Sequence, residues 1–542
     1  MSRREMLVSA GLIFLVALVV RLLFAAQIVF PKPEDSAYYV GVARNLVEGR
    51  GLISDALWSY QTPPLIVPRA AFEVWLPLPT FLAAVPMAIL GTSFAASQVS
   101  SILLGALVPV MAWRLAADVA EERGLPIGRA RSLAVGTGLT TAVYLPLLLG
   151  STVPDSTIPF TVIALAACLL ITRTVRDPRG ARLTDPRLLT LGVLIGLGAM
   201  TRNETVWLAL IWAAVAWFGV RGPVVERIRL IGVVAAVSLL VFAPWAYRNF
   251  VEFGSPLPGQ AVTNAVYLTG YDIFAWNIEP TLQRHLDQGP AWLLSIRAQG
   301  LGHNLLSVLV FLGLPMSVIG VLALPWQGRG LALRPLLWLS LITFFFTGLV
   351  FPAATQWGTF LHGAGPVQVL VALSSLLALD AIIVRVGRLR GWTRPVAWLG
   401  PALGVFGSAL FSVALLPSYG NGSAGTARLY DELGVRAAAA GYPLDASAGP
   451  VITNFPIWLA ESHRIPTLGL PNEPPTDVLD LARSFPGTRL VVLVDAQSPH
   501  WPADLTNGSA GAECFRPVDL GPGPAGAPDP LATTQLLEIV CP

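Results

Sequence analysis

The chain has 542 residues, 54% of them hydrophobic and only 12% charged, with a mean hydropathy of +0.65. Water-soluble domains average about 25% charged residues, so the balance excludes a cytosolic enzyme, and the recurrence of long apolar runs excludes a single-pass receptor. The 35 basic and 32 acidic residues leave +3, too even a balance to indicate a nucleic-acid partner.

Apolar runs that can cross a bilayer core of about 30 Å at 1.5 Å per residue predict a mainly α, polytopic membrane protein. Eleven spans are expected near 6–29, 94–117, 132–150, 157–173, 188–201, 204–220, 230–247, 301–324, 336–352, 365–384 and 396–416. The first follows Ser2-Arg3-Arg4, is longer than a signal-peptide core, and reads as an uncleaved anchor. The short run 188–201 ends at Thr201-Arg202-Asn203-Glu204, a polar tip between two apolar helices that suits a cavity lining. Arginines gather in alternate connections: Arg3 and Arg4; Arg114, Arg123, Arg129 and Arg131; Arg173, Arg176, Arg179, Arg182 and Arg187; Arg221, Arg227 and Arg229; Arg329 and Arg334; Arg385, Arg388, Arg390 and Arg394. Cytoplasmic loops carry such an excess, which predicts the amino terminus inside, the carboxyl terminus outside, and an odd number of crossings of the cell membrane.

Three outer segments exceed simple connectors. Residues 30–94 and 248–300 are loops of a membrane domain 1–417, and 418–542 reads as a separate outer α/β domain. Its β-like runs are 450–453, 489–495 and 536–540, with a helix-like 477–484. It holds 6 arginines against 13 acids, the pattern of a solvated acidic surface. Cys168 lies within a span, whereas Cys514 and Cys541 both fall outside, where oxidation is permitted and a Cys514–Cys541 disulfide pinning the last strand is expected; two buried thiols are the alternative.

Ion-coupled transporters place ionisable groups near the midplane. Here Asp380 and Arg114 sit at inner ends and Arg21 in the outer third of the first span. The outer ends instead collect Lys32, Glu34, Asp35, Arg69, Glu73, Asp155, Arg202, Glu204, Arg248, Glu252 and His362, a ring facing an outward cavity. The most informative stretch is Pro33-Glu34-Asp35-Ser36-Ala37-Tyr38-Tyr39, continuing through Ala43-Arg44-Asn45-Leu46 to Glu48-Gly49. It sets a carboxylate just beyond the first span beside a helix carrying tyrosines.

This stretch resembles the first outer loop of GT-C membrane glycosyltransferases, in the branch of protein O-mannosyltransferases and the lipid A aminoarabinose transferase. Asp35 matches the motif acid, and Ser36 stands where a second acid is common. Four further fragments resemble the family in order: Phe72-Glu73-Val74-Trp75-Leu76-Pro77-Leu78; Pro154-Asp155-Ser156; Gly198-Ala199-Met200-Thr201-Arg202-Asn203-Glu204; and Pro244-Trp245-Ala246-Tyr247-Arg248-Asn249 with Phe253-Gly254-Ser255-Pro256-Leu257-Pro258. The resemblance implies inverting transfer of a sugar from a polyprenyl-phosphate carrier to a glycan, lipid or protein hydroxyl outside the cytoplasm.

The residues are compatible with that chemistry. A hydroxyl attacking an anomeric carbon needs a base, for which Asp35 is the candidate; the alternative is a helix cap. A phosphate leaving group needs positive charge, and arginine forks suit its oxygens. Arg202 and Arg248 are the first candidates, Lys32 and Arg69 the next, and for the first two snorkelling to the interface is the alternative. Glu34, Asp155, Glu204, Tyr38 and His362 are placed around the acceptor. Asp155 and Glu204 also suit helix starts, and His362 also suits the interface. Trp58, Tyr38 and Tyr60 are candidates to stack on sugar faces, and an apolar groove between spans to hold the isoprenoid tail.

The histidines at 285, 303, 362, 463 and 500 are scattered without zinc-type spacing. Oxygens of Asp35, Asp155 and Glu34 are candidates for a divalent cation, whereas the mannosyltransferase-like branch implies no metal. No glycine-rich phosphate loop or Rossmann fingerprint is present, which argues against a cytoplasmic nucleotide-sugar donor. Within the same spans, a lipid transporter or flippase and a non-catalytic scaffold remain the other classes.

Overall fold

The computed structural model describes residues 3–177, 185–220, 223–258, 263–311, 313–392, 396–524, 526 and 528–541. Arg179, Arg182, Arg221 and Arg394 lie outside the described residues. The first half of the chain forms α1 (Arg3–Ala25), α2 (Glu34–Val47), α3 (Leu78–Leu90), α4 (Phe94–Glu122), α5 (Ile127–Ala142), α6 (Leu145–Ser151), α7 (Thr157–Arg176), α8 (Pro186–Ala199), α9 (Thr205–Gly219) and α10 (Val224–Phe253). After it come α11 (Leu282–Leu286), α12 (Gly289–Leu306), α13 (Ser317–Gln327), α14 (Arg334–Val350), α15 (Pro352–Gln356), α16 (Thr359–Gly363), α17 (Gly365–Leu389), α18 (Leu399–Ala439), α19 (Pro456–His463), α20 (Pro475–Ser484) and α21 (Ala503–Thr506).

Among the described residues six helices, α1, α4, α7, α10, α17 and α18, are long and apolar enough to cross a membrane, and the pair α5–α6, bent by 52°, makes a seventh. The other expected spans are shorter or broken. Helices α8, α9 and α14 have 14, 15 and 17 residues. The run 301–324 splits into α12, a π-turn at Ser307–Phe311 and α13, because Pro315 lacks the N–H that would continue the helix. Helix α10 extends to Phe253, so the loop expected from 248 starts after Gly254, which closes the helix at φ +69°.

Burial differs sharply between spans. Helices α7 and α17 have 72% of their apolar window buried, against 22% in α1 and 17% in α10. The first two therefore form the centre of the bundle, and the segments just before them are held by the best-packed part of the protein. Arg21, a fully buried charge on α1, donates to Ser151 Oγ (3.1 Å) and to the carbonyls of Ala17 (3.2 Å) and Ala142 (3.3 Å). It thus satisfies a carbonyl freed at the α5–α6 bend, and Gly105 makes room, since a Cβ there would lie 2.8 Å from its Nε.

At the end opposite the arginine-rich connections, the chain builds a six-stranded mixed sheet in the order β2-β5-β4-β6-β8-β7. Its strands are β2 (Ala56–Leu57), β4 (Val451–Thr453), β5 (Thr467–Gly469), β6 (Leu490–Val494), β7 (Phe515–Val518) and β8 (Thr534–Ile539), while β1 (Ile53–Ser54) and β3 (Arg69–Ala70) pair separately. Strands β2, β5, β4 and β6 run parallel, and β8 is antiparallel to β6 and β7. Cys514 and Cys541 form a disulfide that joins the start of β7 to the end of β8.

Two features tie this sheet to the bundle more closely than a separate domain beginning at 418. Helix α18 runs unbroken through 417 and 418 for 41 residues, about 60 Å at 1.5 Å per residue, and its buried Tyr430, Leu433 and Ala437 pack under the sheet. Strand β2, from the first loop, is itself an edge of the sheet, with Ala56 opposite Thr467 and Leu57 opposite Leu468.

Candidate active site

Helix α2 begins immediately after Pro33, so Glu34 and Asp35 fall in its first turn and diverge. Glu34 turns to the sheet: its carboxylate accepts from the Ile457 N–H at 3.1 Å, at the first turn of α19. Burial pushes its pKa up to about 8 against the opposing N–H groups of Ile457 and Trp458. Asp35 turns to the bundle, where its Oδ2 lies 3.4 Å from Nε2 of His362. The other ring nitrogen of His362, Nδ1, is 3.0 Å from Asp155 Oδ2. One imidazole therefore lies between two carboxylates that are 120 residues apart in the chain, and each partner comes from a segment just before a central helix: Asp155 before α7, His362 from α16 before α17.

The two aspartates differ in environment. Asp155 Oδ1 accepts from the Thr157 N–H (2.7 Å), the Thr157 hydroxyl (2.8 Å) and the Ser156 hydroxyl (3.3 Å). Burial alone would raise its pKa, but the charge and hydrogen bond of His362, with the Thr157 donors, hold it well below the usual carboxylate range. Asp35 has no such set of donors. Burial raises its pKa, the His362 charge only partly opposes this, and the Asp155 charge adds to it. For His362 burial disfavours the cation, yet the two carboxylates prevail and lift its pKa to about 9. At neutral pH His362 is therefore an imidazolium, its Asp155 partner locked as the carboxylate and its Asp35 partner more basic than usual.

Asp35, His362 and Arg202 line a cleft of about 240 Å³ with Trp58 and Trp75. The cleft continues into a chamber of similar size lined by Arg202, Asn203, Trp207, Phe346 and Phe351, aromatic toward the spans. On the other face of His362, Asp155 and Lys32 line a more apolar cavity of about 550 Å³ with Tyr419 and Trp458. Gly270 lies against Trp357 at the cleft, so close that a Cβ would stand 1.9 Å from the indole.

Arg202 is already held in place. It donates to Glu204 at 2.6 and 3.1 Å, to Ser156 Oγ at 2.9 Å and to the Thr359 carbonyl at 3.1 Å. Four of its five N–H groups are so engaged, and the residue lines both the cleft and the chamber. Glu204 is thus the partner of Arg202. Lys32 is exposed, with its ammonium 5.3 Å from the Trp458 ring centre.

Other expected residues lie elsewhere. Arg248 donates to the carbonyls of Ala71 (2.7 Å) and Leu52 (3.4 Å) and stacks on Trp245 and Phe253, bracing the first loop rather than facing the cleft. Arg69 is fully buried, donating to the carbonyls of Ser59 and Thr62, with Glu73 3.7 Å away. Tyr38 is also core: its hydroxyl accepts the Phe72 N–H at 2.7 Å and holds that residue at φ +75°. Tyr60 is buried with its hydroxyl on the Gly469 carbonyl, so of the three aromatics expected to stack on a sugar only Trp58 lines the cleft. In each case the polar atoms of the side chain are taken up by backbone groups, chiefly those of the first loop, that would otherwise be buried without partners.

Tyr39 is the residue the sequence reading passed over. It lies one helical turn after Asp35, lines the chamber, and feels the charges of Asp155, Asp35 and Arg202. Burial, with those carboxylates, raises its pKa well above the usual value, so it presents a neutral hydroxyl. The i, i+4 spacing from Asp35 was the available signal.

Asp35, Asp155 and His362 each offer a donor atom within 4.8 Å of the others. Two oxygens and an imidazole fit a divalent ion in composition, and this set has His362 where the sequence proposed Glu34. In the present arrangement both ring nitrogens of His362 face carboxylates.

No protein-family model matches the chain, and no curated protein sequence does. Solved structures do. ArnT from Cupriavidus metallidurans bound to undecaprenyl phosphate aligns over 98% of each chain with 14% identity and a TM-score of 0.54, and its apo form over 98% of this chain and 97% of that one, with 12% identity and a TM-score of 0.53. The Archaeoglobus fulgidus oligosaccharyltransferase AglB, in complex with an inhibitory peptide and a dolichol-phosphate, aligns over 91% of this chain and 69% of its own, with 14% identity and a TM-score of 0.52. ArnT and AglB are GT-C glycosyltransferases, and this chain has their fold over nearly its whole length.

Proposed function

We propose that the protein is a membrane glycosyltransferase that moves a sugar from a polyprenyl-phosphate carrier to an acceptor hydroxyl of a glycan, lipid or protein, with inversion at the anomeric carbon. The observation that carries this reading is the Asp35–His362–Asp155 cluster at a cleft opening into an aromatic chamber beside Arg202. Structures of the same fold bound to undecaprenyl phosphate and dolichol-phosphate support a lipid phosphate as the carrier.

In the proposed reaction the carrier's tail lies among Trp207, Phe346 and Phe351, its phosphate at the free N–H of Arg202, and its sugar under Trp58 and Trp75. The acceptor oxygen bonds to the anomeric carbon as the carbon–oxygen bond to phosphate breaks, and the bonding pair leaves on the phosphate oxygen. Asp35, the more basic aspartate, takes the acceptor's proton. Asp155 is committed to Thr157 and His362 and keeps the imidazolium oriented. A phosphate leaves as a stable anion, so no second carboxyl acid is required, and one displacement inverts the centre. We assign no metal to these steps. The acceptor approaches where the cleft and the Lys32 cavity meet, at Trp357 and His362.

The same proposal places the amino terminus and the arginine-rich ends in the cytoplasm, counts eleven crossings with the short and broken helices included, and sets the sheet and both aspartates on the extracytoplasmic face. Residues 1–417 are then the membrane domain and 418–542 an extracytoplasmic region that completes the site.

The test is sugar transfer or slow hydrolysis from a panel of labelled polyprenyl-phosphate sugars by protein in nanodiscs, wild type against Asp35→Asn. Turnover that disappears in the variant supports the donor class and the base. Equal turnover in both forms overturns Asp35 as the base, and retention of lipid phosphate without turnover of any donor favours a flippase.

A further inference from the structure

At the arginine-rich end, far along the helices from the aspartates, α7, α9 and α14 diverge around a hollow of about 590 Å³. Its wall is apolar, with Ile171 and Val175 from α7, Ile211 and Phe218 from α9, and Trp338 from α14; Arg334, the first residue of α14, stands at the rim. The hollow opens sideways, since Phe218 is 85% exposed and Trp338 53%. Its wall offers few polar partners with which to keep water, and left empty it forfeits dispersion contacts.

Arg334 differs from its neighbours in pairing as well as place. Arg129, Arg173, Arg176 and Arg187 pair with Asp380, Asp118, Glu122 and Asp185, and Arg123 donates to Gln327. Among the described residues the exposed Arg334 guanidinium has no hydrogen-bond or ion-pair partner. A free planar fork over an apolar slot matches a phosphate ester carrying a hydrocarbon chain. From Arg334 to Ile342, both at the hollow, α14 rises about 12 Å, enough to cover much of an acyl chain that starts at the headgroup.

We propose that an anionic glycerophospholipid occupies this hollow, one acyl chain lying between α7, α9 and α14 and its phosphate on Arg334. The lipid braces helices whose opposite ends carry Asp155, Glu204 and the segment leading to His362, so it supports the cleft from the other end of the bundle. The proposal needs only the membrane setting and stands whether or not the glycosyltransferase reading holds.

The experiment is native mass spectrometry of the full chain with dioleoylphosphatidylglycerol and dioleoylphosphatidylcholine as probes, comparing wild type, Arg334→Gln, Arg334→Lys and Ala214→Phe, the last placing a ring in the hollow. The expected result is one phosphatidylglycerol per chain held about tenfold more strongly than phosphatidylcholine, as one charge-assisted contact would provide. Arg334→Gln should abolish that preference, Arg334→Lys should restore part of it, and Ala214→Phe should weaken retention of both lipids. Unchanged phosphatidylglycerol retention in Arg334→Gln overturns the proposal. So does displacement of that lipid by undecaprenyl phosphate in wild type but not in Arg334→Gln, which would assign the hollow to isoprenoid phosphates. Arg334 is exposed, so its variants keep the test valid if Ala214→Phe fails to fold.

Discussion

Two groups of charged residues at the sheet end of the bundle meet different fates. Arg69, Glu73 and Arg248 sit under the first loop with Tyr38, and the arginines donate chiefly to backbone carbonyls. Asp35, Asp155 and His362 face one another, and cavities open beside them. Both groups mix cations with carboxylates, but in the first the arginines hold the chain's own loop, whereas in the second the charges act on each other and leave Asp35 beside open space. Arg202 lies between these cases, four-fifths committed yet at the cleft. Residue type and position along the chain therefore do not separate an arginine at the cleft from a loop brace. The identity of the acceptor atoms does.

Substitutions can break this contrast. Asp35→Asn is expected to lower transfer about 10³-fold, within the range for a removed general base, with little change in thermal stability; a melting temperature that falls with activity would place Asp35 in the structural group. Arg69→Met should do the converse, costing about 3 kcal/mol by leaving Glu73 buried without its cation, while the transfer rate per folded molecule is kept. Thermal unfolding alongside single-turnover assays separates these outcomes.

His362→Gln should cost about tenfold at neutral pH, the price of one well-placed charge, and change the pH profile. With its pKa raised from 6.5 to about 9, His362 contributes stability fully below pH 6.5, and this is lost as pH rises through 9. Activity should fall on the same alkaline limb, and the variant should lack it. Asp35, raised above 3.8, should move the acid limb of activity upward, whereas Asp155, depressed, contributes stability above 3.8 that is lost only in stronger acid. The smallest effect is expected for Arg248→Gln, about 1 kcal/mol for its carbonyl contacts with the KM for the lipid donor unchanged; a raised KM would return it to the phosphate site.

Much of this was legible in the chain. Asp35, Asp155 and Arg202 stand in motif fragments that resemble the family, and the clearance of charge from the apolar runs marked the helices. The runs did not reveal that 301–324 breaks at Pro315, because hydropathy averages over a breaker. Nor did they reveal that Tyr38 and Tyr39, adjacent in sequence, point one into the core and the other into the chamber, since that depends on where α2 is rotated against the loop. His362 was legible as a member of the outer ring near the acceptor, but not as the partner of both aspartates. Its role arises from two aspartates brought to it by α2 and α7, a long-range coincidence with no local signature. Strand β2 was hidden for a related reason, being two residues long and paired with a segment from the other end of the protein.

That pairing also bears on biosynthesis. Leu57 and its partner Leu468 are separated by about 400 residues, which a ribosome adding roughly 5–20 residues per second takes about 20–80 s to make. Throughout that interval the nascent first loop lacks its neighbouring strand while the spans that follow are being inserted. Chains stalled before residue 467 are therefore expected to expose 53–70 to protease, and chains released after β6 to protect it, so the loop that follows Asp35 gains its final support among the last events of the protein's birth.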